Sequence, residues 1–79
     1  MHPNLLLITD KNKSHWININ EITAIHPTLD SPSEHIMSIR LKDKPERVLS
    51  YSNKQNLLDN YNILLDKLEL AGVLVRVVG

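Results

Sequence analysis

Four histidines, at positions 2, 15, 26 and 35, are the first residues to weigh, because imidazole titrates near neutrality and ligates metals. No two of them stand at the i, i+2 or i, i+4 spacing of a local chelate. His26 and His35 flank a segment containing Pro27, Asp30, Ser31 and Pro32, and they meet only if its base closes. Asp30 or Glu34 would then be the third ligand of a metal site, or the pair would act alone as a pH sensor; two solvated loop histidines are the plainer expectation. Ser14 and His15, with Asp10 close by, supply the residue types of a serine nucleophile. Neighbouring residues on a strand point to opposite faces, so Ser14 and His15 should diverge. Asp10, Glu21, Asp30, Glu34, Asp43 and Glu46 all fall in expected turns, where carboxylates are solvated rather than paired for acid–base work.

Two absences narrow the chemistry further. The chain has no cysteine, which excludes thiol catalysis, disulfides and thiolate metal sites. Its only glycines are Gly72 and Gly79, so no glycine-rich loop can bring backbone close to a phosphate chain. The expectation is a non-enzymatic protein without metal or cofactor.

Charge offers a binding hint. Lys11 and Lys13 tip one expected hairpin, Lys42, Lys44 and Arg47 surround another, and Lys54 opens a helix. If both tips lie at one end of a sheet, Lys11, Lys13, Lys42, Lys44 and Arg47 form a local cationic edge for nucleic acid. Asp10, Asp43 and Glu46 are interleaved with them, and the formal net charge is +0. A protein held mainly by phosphates usually carries a basic excess. Trp16, Tyr51 and Tyr61 are too scattered for a base-stacking platform. Nucleic-acid binding is therefore the second functional reading, behind protein binding.

The elements that must position these residues follow from periodicity. Asn4–Thr9 and His15–Ile19 read as strands around the polar turn 10–14. Ile22–His26 resumes extended structure after a bend at Asn20-Glu21. Ile36–Leu41 and Arg47–Tyr51 form a second hairpin about the turn 42–46. At Ser52 the period changes. Ser52 and Gln55 match a capping box, and Leu57, Tyr61, Leu64, Leu65 and Leu68 then share one helical face. Gly72 is placed to end that helix in the left-handed region. A last strand, Val73–Val78, carries apolar residues on both faces, as does Leu5–Ile8. One helix can cover one sheet face, so the first and last strands are expected side by side or together at a subunit interface. Trp16 lies opposite Ile17 and Ile19, and either points outward as an interface anchor or is buried in the core of a curled sheet.

Trp16-Ile17-Asn18-Ile19-Asn20-Glu21-Ile22, then Ile25, a hairpin and a helix, resembles in apolar spacing the small flagellar and swarming-motility proteins of the FlbD type. The likeness runs over residues 4–68, and no function is carried over from it.

The reading is thus one α+β domain over residues 1–79: a mainly antiparallel sheet of five to six strands, a Ser52–Ala71 helix on one face, and a final strand. The free face should be closed by a second subunit or by curling into a half-barrel. Seventy-nine residues bury only a thin core, and no run approaches the roughly 20 apolar residues of a membrane span. The expected function is a cytoplasmic interaction or regulatory module. It would act as a homodimer that binds another protein, with Trp16, Leu74, Arg76 and Val78 at the interface.

Overall fold

Leu5–Thr9 forms strand β1 and Ser14–Asn18 forms β2, paired antiparallel so that Leu7 faces Trp16 and Ile8 faces His15. Asp10 builds the turn between them. Its Oδ1 accepts hydrogen bonds from the backbone N–H groups of Asn12 (2.9 Å) and Lys13 (2.8 Å), and its own N–H donates to the Lys13 carbonyl. Aspartate closes turns this way because its short side chain mimics a backbone acceptor. A single 3-10 turn, Ile19–Glu21, follows β2, capped by Asn18, whose Oδ1 accepts from the Asn20 N–H at 3.0 Å. That turn ends the ladder.

The structure, a computed structural model, describes residues 5–77. A second, four-stranded sheet is built from β3 (Ile22–Pro27), β4 (Ile36–Leu41), β5 (Arg47–Ser50) and β6 (Arg76–Val77). Its order is β5-β4-β3-β6; only the β3–β6 pair is parallel. Helix α1 (Lys54–Leu70) separates β5 from β6 and supplies the crossover that a parallel pair requires.

The helix starts one residue later than the capping-box reading. Asn53 is the cap, its side chain accepting from the Asn56 N–H at 2.8 Å, and Gln55 instead donates to Asp59. Asparagine caps at least as well as serine, so with both available the choice falls to the position whose geometry closes. The C-terminus follows expectation. Gly72 has φ +71°, its N–H donates to the Glu69 carbonyl, and the Val73 N–H donates to the Leu68 carbonyl. These two bonds make a Schellman motif. Asp43 takes the corresponding left-handed position (φ 56°) in the β4–β5 turn, which contains no glycine.

One core joins the hairpin, the 3-10 turn, β3, β4, β5 and the helix. Ile8 and Ile17 from the hairpin pack with Ile25, Met37, Ile39 and Leu49 from the larger sheet and with Leu57, Leu64 and Leu68 from the helix. Residues i, i+7 and i+11 of α1 are the buried ones, as an amphipathic stripe demands.

The fold class is α+β, but three expectations are corrected. The strands do not form a single sheet of five to six. They divide into sheets of two and four, because the 3-10 turn at Ile19–Glu21 breaks the chain direction between β2 and β3. The first and last strands are not neighbours: β1 pairs with β2, and β6 pairs with β3. A hairpin partner five residues away in sequence captured β1 at small loop cost, leaving β6 the open edge of β3. Of the expected Val73–Val78 strand, only Arg76–Val77 joins the ladder, and Val78 lies outside the described residues. Among the described residues no helix is long and apolar enough to cross a membrane.

Candidate functional site

The outer face of the N-terminal hairpin is the most unusual surface of the molecule. Odd residues of β1 and even residues of β2 share it, by the register Leu5↔Asn18, Leu7↔Trp16, Thr9↔Ser14. Leu5, Leu7 and Trp16 are 42, 46 and 63% exposed. The inner face carries Ile8, His15 and Ile17, all buried. Trp16 therefore points outward, directly across from Leu7. Thr9 and Ser14 finish the face with a hydroxyl–hydroxyl hydrogen bond of 3.1 Å.

The hairpin's edge is open as well. Among the described residues no strand pairs with the side of β1 away from β2. Leu5-Leu6-Leu7-Ile8-Thr9 has no charge, proline or bulge, the devices by which natural edge strands discourage pairing. The β5 edge is treated differently. The Ser50 N–H donates to Asp10 Oδ2 at 3.1 Å and the Ser50 carbonyl accepts from the Lys11 N–H at 2.9 Å, so the hairpin tip closes that end.

Asp10 makes this joint. Burial opposes its charge, but the backbone N–H groups of Lys13, Ser50 and Asn12 and the nearby His15 outweigh that, and its carboxyl falls to about 2. Its side chain is only 3% exposed, and Oδ2 lies 3.7 Å from Nε2 of His15, itself 6% exposed. Arg47, on the inner face with Leu49, reaches His15 Nδ1 with Nη1 at 3.4 Å. Guanidinium only donates, so Nδ1 is the acceptor in that contact, while Nε2 lies near the Asp10 carboxylate without a hydrogen bond to it. The Tyr51 phenol is buried beside them, and burial together with the Asp10 charge pushes it up to about 12. The result is an electrostatic clasp in which the Asp10 and His15 side chains are buried and Arg47 stays exposed at its rim. A substrate has no access to the Asp10–His15 pair, and Ser14 points to the opposite face, bonded to Thr9.

The burial of Asp10 departs from the sequence expectation of a solvated turn carboxylate. The available signal was its position at the head of a tight turn preceding Asn12 and Lys13, which is a site for backbone capture.

The remaining sequence candidates are scattered. Lys11 sits at the Ser50 end of β5, whereas Lys42 and Lys44 occupy the turn that precedes Arg47 at its other end. The basic turns are thus at opposite ends of that strand, and the condition for one cationic edge is not met. Lys44 is held by Glu21 at 2.7 Å and Arg47 is turned inward to His15. His26 pairs across the ladder with Ser38, while the His35 carbonyl accepts from the Tyr51 N–H, so these two histidines occupy different rows. Among the described residues no group of three His, Asp or Glu is placed to share a metal ion. Trp16 belongs to the two-stranded sheet and Arg76 to the four-stranded one. Leu74, 96% exposed, precedes β6, and Val78 is outside the described residues.

Compared with known proteins, the chain matches no family model, no curated protein and no solved structure. The likeness in apolar spacing to flagellar proteins therefore has no family match beside it.

Proposed function

We propose that this chain is a non-enzymatic protein-interaction module that associates with a second copy of itself through β1. The observation that carries the reading is the coincidence of an outward Leu5–Leu7–Trp16 face with an unpaired, uncharged edge on the same hairpin. Size argues that both are used. A pair of five-residue strands covers a rectangle of about 17 by 10 Å. That is far below the roughly 800 Å² per partner of a stable complex. Edge pairing of β1 with its copy, antiparallel about a two-fold axis, would add main-chain hydrogen bonds and double the apolar face. The zero formal net charge offers little repulsion to such a dimer. Trp16, one strand in from that edge, extends the apolar face that flanks the pairing strand.

Sedimentation velocity across micromolar concentrations tests this. The wild-type chain should show a concentration-dependent dimer, and Leu7→Glu, which places a charge on the exposed face without touching the core, should be monomeric and equally folded. A strictly monomeric wild type overturns the reading.

A further inference from the structure

The outward face of the four-stranded sheet has a character opposite to the hairpin's. β3 lies between β4 and β6, and Ala24 is the cross-strand partner of Arg40 on one side and of Arg76 on the other. Cross-strand partners share a face, so Arg40, Ala24 and Arg76 stand in one row, with the arginine Cα atoms roughly 10 Å apart at ordinary strand spacing. In the adjoining row His26 pairs with Ser38. These five residues and Glu46 line a cavity of about 250 Å³. Its floor is small side chains, and two exposed guanidinium groups, an imidazole and a hydroxyl rim it as an open depression. One carboxylate is present: Glu46 Oε2, 3.8 Å from Arg40 Nε. Among the described residues Arg76 has no carboxylate partner, so the cavity keeps an excess positive charge.

Like charges on one sheet face repel, and nothing in the packing of the core requires two arginines to flank one alanine. An anion between them would relieve that repulsion. Guanidinium presents a planar fork of N–H donors that matches the oxygen pairs of a phosphoryl group. We propose that this cavity is an oxyanion site for the phosphoryl group of a small molecule. Arg40 and Arg76 would clamp the anion from two sides, and Ser38 and His26 would contribute hydrogen bonds. The volume decides the size of ligand. Pockets that enclose a drug-sized molecule begin near 300 Å³, so this one holds the charged head while the remainder projects into solvent.

The test is a titration of the full chain with inorganic phosphate, followed by amide chemical shifts at constant ionic strength set by chloride. Saturable shifts at Ala24, His26, Ser38 and Arg76 are expected. Arg76→Gln should weaken binding about tenfold or more, the usual consequence of losing a charge-assisted hydrogen bond. Arg76→Lys should recover only part of it, because the charge returns without the fork. Absence of saturable shifts in the wild type overturns the proposal, as does binding that Arg76→Gln leaves unchanged in a protein shown to be folded. A second arm uses a short single-stranded oligonucleotide. If it binds far more tightly than phosphate, with steep salt dependence and shifts at Lys11, Lys13, Lys42 and Lys44, the ligand is a nucleic-acid backbone and the small-molecule site is wrong.

Discussion

Residues 5–8 and residues 73–77 look alike in composition, both aliphatic runs with apolar side chains on each strand face, yet the structure uses them differently. The first run becomes a fully paired five-residue strand whose inner residue Ile8 joins the core and whose outer residues Leu5 and Leu7 face solvent beside Trp16. The second contributes only two residues to a ladder, Arg76 and Val77, while Val73 and Val75 lean on the core and Leu74 is almost wholly exposed. The difference teaches that composition sets a segment's capacity to be buried, and the available partner sets how much of it is used. β1 has a partner one turn away. β6 must reach the edge of β3 after a 17-residue helix, and it arrives parallel.

If the hairpin is integral and the tail is an edge addition, mutations should separate them. The largest effect should come from Ile17→Ala on the hairpin's inner face, where the side chain is 1% exposed. We expect a loss of about 3 kcal/mol in urea unfolding. Val75→Ala in the half-buried tail should cost less than about 1 kcal/mol. Equal losses at the two sites would erase the distinction.

The clasp that fastens the hairpin comes next. Asp10→Ala leaves the N–H groups of Asn12, Lys13 and Ser50 without their acceptor and should cost about 2–3 kcal/mol. The same group shapes the acid limb of stability. Its folded value lies below its unfolded one, so its contribution is present above pH 3.8 and is lost as pH falls toward 2. The size of that loss is about 2 kcal/mol. Thermal melts of the wild type should fall across this window, and those of Asp10→Asn should lack that component.

Deleting residues 73–79 should cost about 2 kcal/mol, through the partial burial of Val73 and Val75 and the Val73 N–H bond to Leu68. Sedimentation of the truncated chain should still show the dimer, since β1 is untouched; loss of association would move the interface to the tail. A small effect is also expected at the glycine that ends the helix before the tail. Gly72→Ala meets no atom within 4 Å, so only the left-handed backbone opposes it. A decrease of about 1 kcal/mol is expected in the same unfolding assay.

Much of the secondary structure was legible because it rests on local physics. Ile36–Leu41 is a strand because Met37 and Ile39 alternate with Ser38 and Arg40, and the observed bounds agree. The helix announced itself by the Leu57–Leu68 stripe and by Gly72, whose left-handed conformation few other residues adopt without strain. Strand alternation put Trp16 on the face opposite Ile17 and Ile19, but that this face lies open to solvent depended on how the hairpin packs. The candidate site was less legible. The sequence suggests Arg76 as an interface partner of Trp16, whereas it stands across Ala24 from Arg40, a juxtaposition that depends on the register of three strands drawn from distant parts of the chain.

By itself, then, the sequence determined most of the elements and their faces, because period, capping and composition act over a few residues. Tertiary structure alone decided that a 3-10 turn splits the sheet, that Asp10 is buried as a clasp, that the basic turns part company and that two arginines meet across an alanine. Those outcomes depend on which strand edges are unoccupied when the core closes, a competition between distant segments that no local pattern records.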